Sequence, residues 1–201
     1  MISADKILSE SQLNKLLKRL KTEKEKSLLV VKTTPKSPKE LRVIMDYFLF
    51  TLIANTGLRI SEALNLKWAD IHDDFLMIRP EISKNGKKGT VYFGSKTKAL
   101  IDELKNTDML MNSSEMLFSL AGKVVATRNY MHVRFKYWIQ QVGLPKGLSI
   151  HSLRHTYGTQ CLDKGLSLTF VRDNLRHSNI SVTSQYLHLT KESRAKIKDI
   201  F

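Results

Sequence analysis

The chain has 201 residues, of which 42% are hydrophobic and 26% are charged, a composition ordinary for a protein that buries a core, and one that excludes a disordered or collagen-like chain. Lysine and arginine number 33 against 19 aspartate and glutamate residues, so the formal net charge of +14 favours a polyanionic partner. The single cysteine, Cys161, excludes an intramolecular disulfide, and the sequence has no group of cysteines and histidines with zinc-ligand spacing.

The first predicted element is a basic amphipathic helix. Ser9 and Gln12 fit a capping box at its start, leucines follow at helical spacing, and the opposite face is rich in lysine and arginine through Lys26. Such a face can contact DNA or a membrane surface, although a solvated face over a core stripe is the more common role. A short apolar run at 28–31 and a polar, proline-containing loop at 32–39 follow.

The middle of the chain predicts a long core helix and a pair of strands. The helix begins near Pro38 or Lys39, carries a broad apolar face and is capped by Gly57. The segments after it are a short helix over 61–66 and strands over 75–78 and 90–93. Between the strands lie Asn85 and Gly86, and this dipeptide is the strongest short hairpin signal.

The rest of the chain is helical by its apolar periodicity. The predicted helices cover residues 96–105, 128–142, 151–164, 168–175 and 181–200. The pattern therefore predicts an α+β fold, mainly α-helical, with one small antiparallel β-sheet, and one domain over residues 1–201. The first six residues lack the apolar stretch of a signal peptide, and the longest apolar pattern, over 43–53, is too short to cross a bilayer. We expect a cytoplasmic protein with no membrane partner.

Four local patterns together suggest a site that handles a phosphate. They are the segment 56–62 around Arg59, the hairpin residue Lys84, the pair His151 and Arg154, and His177 followed nine residues later by Tyr186. Each pattern alone is common on ordinary protein surfaces. Attack on a phosphodiester builds negative charge, and fixed arginine forks stabilise such charge without a metal or another cofactor.

The residue types suggest a role for each position. Arg59 and Arg154 would clamp the non-bridging oxygens, and the two histidines would add donors. A tyrosine hydroxyl has a pKa of about 10, so Tyr186 needs a neighbouring base and cations before it can attack. Lys84, on a mobile hairpin, would protonate the departing 5′ oxygen. A covalent phosphotyrosine would keep the energy of the ester, so the strand could be rejoined without ATP.

These motifs resemble those of the tyrosine recombinase, or phage integrase, family. The matching segments read TGLRISEAL at 56–64, HSLRHTYGT at 151–159, and LRHSNI at 175–180 followed by YLH at 186–188. The similarity runs from about residue 9 to residue 186 and includes six correctly ordered residues in three extended motifs. The resemblance implies a helical catalytic domain that performs site-specific recombination of double-stranded DNA, with assembly as a tetramer on paired sites and no small-molecule substrate.

The family assigns a function to each matching residue. By resemblance, Arg59 and Arg154 hold the scissile phosphate, and Tyr186 forms a 3′-phosphotyrosyl link. His151 acts as an acid/base or a phosphate donor, His177 hydrogen-bonds the phosphate, and Lys84 protonates the leaving 5′ hydroxyl. Lys87 and Lys88 are alternatives to Lys84. Glu62 is expected to support the Arg59 loop.

The sequence departs from the family pattern in two places. Arg176 occupies a position where the family usually has glycine, so it either distorts the turn before His177 or adds a phosphate contact. A separate N-terminal core-binding domain is also missing, so the chain is either a minimal recombinase or a fragment.

The departures keep other readings open. These are an inactive DNA-binding protein of recombinase descent and a nicking-closing enzyme like a type IB topoisomerase. A membrane-surface protein is the weakest alternative, since it depends only on the first helix. Residues 191–201 are expected to form a tail that packs either on a neighbouring subunit or on its own.

Overall fold

The protein is mainly helical, with short antiparallel strands. A computed structural model describes residues 3–33, 38–111, 115–120, 123–124, 127–177 and 179–187. The helices are α1 (Glu10–Thr33), α2 (Pro38–Thr56), α3 (Ile60–Leu64), α4 (Ser95–Met111), α5 (Arg128–Gln141), α6 (Ile150–Asp163), α7 (Leu168–Leu175) and α8 (Ile180–Ser184). The strands are β1 (Phe75–Ile78), β2 (Gly89–Tyr92), β3 (Ser119–Leu120) and β4 (Lys123–Val124), and 3-10 turns occur at Ala4–Lys6 and Trp68–Asp70. The predicted fold class is confirmed.

Helix α2 is the centre of the core. Each of its residues from Ile44 to Ala54 is buried, as expected for a helix that is apolar on nearly every side. Helices α1, α4 and α6 all pack against it. Gly57 ends the helix with a φ of +67° and donates its N–H to the carbonyl of Ile53 at 2.8 Å, as the sequence predicted. None of the described helices is both long and apolar enough to span a membrane.

The capping box at the start of α1 is present. Ser9 accepts from the N–H of Gln12 at 3.2 Å, and the Gln12 side chain accepts from the N–H of Ser9 at 2.9 Å. The helix then continues through the apolar run at 28–31, although the sequence pattern predicts a separate segment there. Val31 is buried at helical spacing from the earlier leucines, so packing against the core extends the helix to Thr33.

The strand pair β1–β2 is antiparallel, as predicted, with Phe75 opposite Tyr92 and Ile78 opposite Gly89. The connection is a loop over 79–88, so the turn at Gly86 lies inside a longer loop than a two-residue hairpin. The second antiparallel pair, β3–β4, was not predicted, because strands of two residues are too short to show alternation.

The predicted helix over 181–200 is wrong between 185 and 187, where the chain turns after α8. This turn carries Tyr186 into a small core formed with Cys161, Val171 and Leu175. Apolar burial of one side chain therefore outweighs the helical periodicity of the segment. The predicted tail over 191–201 lies outside the described residues.

Two buried charges tie other helices to α2 and α4. Asp46 accepts from Nε of Arg134 at 2.9 Å and from the indole N–H of Trp138 at 2.7 Å, which joins α5 to α2. Lys24 of α1 is 2% exposed and donates to Glu103 of α4. Each buried charge thus has an opposite partner, as the cost of desolvation requires. These contacts fix the layer of helices on which the candidate site is built.

Candidate active site

Arg154 lies at the centre of the candidate site. It projects from α6, is 1% exposed, and donates to the carbonyls of Gly57 and Leu175. Its guanidinium thus joins the turn before α3 to the end of α7. Burial, with the neighbouring cations Arg59 and Arg176, lowers the pKa of Arg154 to about 9, so the group stays charged at neutral pH. Two of its five N–H donors serve the fold, and the planar fork leaves others for a ligand.

Arg59 occupies the N-cap position of α3 and is held by Glu62. Its Nη1 donates to Oε1 of Glu62 at 2.9 Å, and its backbone N–H donates to Oε2 at 2.8 Å. The Glu62 side chain is fully buried, whereas that of Arg59 keeps 19% exposure. The expected support of the Arg59 loop by Glu62 is therefore present. Arg59 presents a fixed cation at a surface that a ligand can reach.

The turn before Arg59 requires glycine for two reasons. Gly57 adopts a left-handed backbone, which L side chains rarely take. A Cβ there would also lie 2.6 Å from side-chain atoms of both Leu175 and Tyr157. The close approach lets the Gly57 carbonyl reach Arg154, and so the two arginines of the site are placed together.

Tyr186 lies in the turn after α8 and is 1% exposed. Its hydroxyl is 3.0 Å from Nδ1 of His155, and its ring is stacked on that of His177 with centroids 6.2 Å apart. Gly158 leaves room for the ring, since a Cβ at that position would lie 3.1 Å from two ring carbons. Burial raises the pKa of Tyr186 to about 12, although Arg154 and Arg59 act in the opposite direction. The phenol is therefore protonated at rest.

His155 belongs to the second motif, HSLRHTYGT at 151–159, but the sequence did not predict it as a site residue. It follows His151 by four residues, so both lie on one face of α6, with ring centroids 4.5 Å apart. That spacing was the available signal, and only the fold shows that Tyr186 meets this face. His155 is the nearest polar partner of the Tyr186 hydroxyl.

His177 is held by a side chain of α8, a contact that the sequence did not indicate. Its Nδ1 is 2.7 Å from Oγ1 of Thr183, a fully buried residue. The preceding residue, Arg176, takes the left-handed conformation, with a φ of 54°. The turn that the family usually makes with glycine is thus kept, and His177 reaches the same site as Arg154 and Tyr186.

Lys84 is exposed on the loop over 79–88. It is one of the cations that lower the pKa of His151 to about 4, after partial burial, Arg154 and Arg59. Among the described residues it makes no hydrogen bond to the other five. The structure therefore brings five of the six together and places Lys84 at their edge.

The lowered pKa values of two site histidines predict that the stability of the fold depends on pH. Burial, with nearby positive charges, lowers the pKa of His155 to about 4 and that of His177 to about 3, from 6.5. Unfolding therefore takes up protons below about pH 6.5, so this stability is complete above that pH and is lost towards pH 4. Each histidine adds a slope of up to about 1.4 kcal/mol per pH unit to the free energy of unfolding. Urea denaturation at pH 7, 6 and 5 measures this slope.

A matched pair of variants assigns that slope. His155→Gln should reduce the slope by about 1.4 kcal/mol per pH unit, and His72→Gln, at an exposed histidine outside the site, is the control. Equal slopes in the wild type and His155→Gln would show that His155 is not held neutral by the fold.

Within the described residues, no three histidine, cysteine, aspartate or glutamate side chains form a group that could hold a metal ion. The fixed positive groups of the site are arginines. Such an arrangement suits an anionic ligand with several oxygens, because arginine forks donate paired hydrogen bonds to them.

Comparison with known families matches residues 6–193 to the phage integrase family. A tyrosine recombinase of Pseudothermotoga lettingae is 33% identical over 151 residues, which is 74% of this chain and 51% of that protein. Tyrosine recombinase XerC of Histophilus somni is 31% identical over 201 residues, 98% of this chain and 65% of that protein. The chain spans about half the length of the first relatives that it matches.

Solved structures show the same fold. The post-cleavage complex of XerH recombinase bound to a palindromic difH substrate has a TM-score of 0.74 and 22% identity, and the match covers 98% of this chain and 54% of that one. XerA recombinase has a TM-score of 0.73 and 19% identity, with 95% and 61% covered. At these identities the likeness shows the fold alone.

Proposed function

The chain belongs to the phage integrase family, and we propose that it is a tyrosine site-specific recombinase, which cleaves and rejoins double-stranded DNA without a metal or nucleotide. One observation carries the proposal: the buried Tyr186 hydroxyl lies in a single site with Arg154 and two imidazoles. These residues come from α6 and from the turns that follow α7 and α8, and Arg59 joins them from the turn before α3. The two arginines supply the charge that a scissile phosphate requires.

The reaction is a transesterification at phosphorus. The Tyr186 oxygen attacks the phosphate held by Arg59 and Arg154, a tyrosyl O–P bond forms, and the bond from phosphorus to the 5′ oxygen breaks. The phenol proton passes to the neutral imidazole of His155, with His151 adjoining it. Lys84 protonates the leaving 5′ oxygen. A free 5′ hydroxyl later attacks the phosphotyrosine in reverse and rejoins the strand.

Lys84 is favoured as the general acid over its neighbours. It contributes positive charge at His151, a residue of the site. An exposed lysine on a loop can move towards the leaving oxygen when DNA is bound. His177, stacked on Tyr186 and fixed by Thr183, is positioned to donate to the phosphate.

The proposed partner is duplex DNA, with assembly as a tetramer on paired sites. The formal net charge of +14 supports binding of a polyanion. Related structures include XerH recombinase and lambda integrase in complex with DNA. For this chain, the described residues correspond to the catalytic domain of such a protein.

The test is a suicide duplex, nicked near candidate sites from the source genome and incubated with the chain in the presence of EDTA. A covalent protein–DNA adduct on a denaturing gel, with DNA attached to the peptide that contains Tyr186 by mass spectrometry, is the expected result. Measurable DNA binding with no adduct on any site would contradict the proposal and favour an inactive accessory protein. A second assay separates the enzymes: joining of paired sites identifies a recombinase, whereas relaxation of plasmids without such sites identifies a topoisomerase.

A further inference from the structure

Arg176 has an unusual backbone conformation. Its φ of 54° and ψ of 48° make it the one non-glycine residue with a positive φ among the described residues. An L side chain is strained there, and glycine is the usual occupant of this position at the end of a helix. The arginine side chain must therefore make contacts that offset the strain.

The Arg176 side chain is held between β2 and α3. Its Nη2 donates to Oε2 of the fully buried Glu62, and its Nη1 donates to the carbonyl of Asn174 at 3.2 Å. Its stem crosses Gly89 at the start of β2, where a Cβ would lie 2.4 Å from Cδ of Arg176. The side chain is 12% exposed, so the guanidinium faces the protein interior.

The same carboxylate also holds Arg59. Oε1 of Glu62 accepts from Nη1 of Arg59, while Oε2 accepts from the backbone N–H of Arg59 and from Arg176. The carbonyl of Arg176 also lies 3.4 Å from Nη2 of Arg59. We call Arg59, Glu62 and Arg176 the Glu62 cluster. Arg176 thus acts on Arg59 twice, through its own carbonyl and through the shared carboxylate.

We propose that Arg176 is a positioning residue, which fixes the Glu62 carboxylate and thereby the orientation in which Arg59 meets the phosphate. This inference rests on the proposed function. Without Arg176, Glu62 keeps one ion pair among the described residues, with Arg59, and the two side chains can rotate together. The chemical step is then slower, because a misplaced Arg59 guanidinium stabilises the transition state poorly.

The test compares Arg176→Gly, Arg176→Lys and the control Arg172→Gln, an arginine one turn earlier on α7 that pairs with Asp173. Adduct formation is followed with saturating suicide duplex. We expect Arg176→Gly, which also relieves the backbone strain, to lower the first-order rate about tenfold or more, and Arg176→Lys to recover part of the loss. Arg172→Gln should keep the wild-type rate. A wild-type rate in Arg176→Gly would overturn the proposal.

DNA binding distinguishes positioning from direct contact. In the Tyr186→Phe background, Arg176→Gly should change the affinity for the same duplex by less than about twofold and leave its salt dependence unchanged. A weaker complex whose log–log salt slope falls by about one would instead show that Arg176 contacts a phosphate, which overturns a positioning role. Glu62→Gln should reproduce the rate loss, and the double variant should lose little more, as coupled residues do.

A ligand-binding measurement tests the positioning role of Arg176 independently of strand cleavage. If the wild type forms no adduct, the proposed function fails, and orthovanadate replaces DNA as the probe. Its binding, measured as protection against thermal unfolding, needs the oriented arginines but no strand cleavage. About tenfold weaker binding in Arg176→Gly than in the wild type would support the positioning role. Equal binding would overturn it.

Discussion

Tyr186→Phe should abolish the covalent adduct while leaving the protein folded and bound to DNA. The substitution removes the attacking oxygen and keeps the ring that fills the small core with Val171 and Leu175. We expect the rate of adduct formation to fall by at least about 10⁴-fold, the scale of loss when a nucleophile is removed. The free energy of unfolding should change by only about 1 kcal/mol, since a single hydrogen bond, to His155, is lost.

The fold offers a matched control in Tyr47→Phe. Tyr47 is 8% exposed, and burial raises its pKa to about 12, as for Tyr186, but it lies on α2 near the carboxylates of Glu103 and Glu25. Its substitution should leave the adduct rate within about twofold of wild type. Rates come from denaturing gels with suicide duplex, and affinities from fluorescence anisotropy. An adduct that persists in Tyr186→Phe would assign the nucleophile to another residue.

The pKa values explain why the resting site should be inert. Tyr186 is protonated and His155 beside it is neutral, so the proton stays on the phenol. The phenol is also buried, which shields its oxygen from a substrate. A phosphate between Arg59 and Arg154 would bring negative charge towards the imidazoles, which favours their protonated form. In the proposed reaction, proton transfer from the phenol would therefore be coupled to DNA binding. Because Tyr186 is 1% exposed, we expect the turn at 185–187 to move before its hydroxyl can reach a phosphate.

The sequence predicted most of the elements from local signals, whereas the roles of the six site residues follow from the resemblance of the motifs to a family and stay a prediction. Helix α7 has the predicted bounds, and the cap of α1 forms as Ser9 and Gln12 indicated. Spacing on one helix also placed His151 and Arg154 near each other. Such features require only the periodicity and the capping rules of a single segment.

The remaining features depend on contacts between distant segments. Glu62 meets Arg176 across 114 residues, and His155 meets Tyr186 across 31, so no local pattern could reveal either pair. The turn at 185–187 interrupts a helical pattern because burial of Tyr186 outweighs it. The Asn-Gly dipeptide correctly predicted a reversal of the chain between the strands. It did not predict the length of the loop over 79–88, because no local pattern around Lys84 specifies where the strands end.

Arg154→Lys should separate the structural role of Arg154 from its chemical role. Lysine keeps the positive charge but replaces a planar fork with a single ammonium group. It cannot reach the Gly57 and Leu175 carbonyls with the same geometry and also offer paired donors to a phosphate. We expect the rate of adduct formation to fall by about 10³-fold, as when a preorganised donor to developing charge is lost. The free energy of unfolding should fall by about 1–3 kcal/mol, because a buried carbonyl loses its donor.

The control is Arg79→Lys, which loses a comparable fork outside the site. Arg79 donates to Asp70 at 2.8 Å and to the carbonyl of Asn65 at 2.8 Å, so its substitution should also cost stability. Its adduct rate, however, should stay within about twofold of wild type once both proteins are assayed well below their unfolding transitions. Urea denaturation and single-turnover kinetics on the same preparations give the two quantities. If Arg154→Lys loses stability as Arg79→Lys does and keeps its rate, then Arg154 holds the fold together and does not stabilise the transition state.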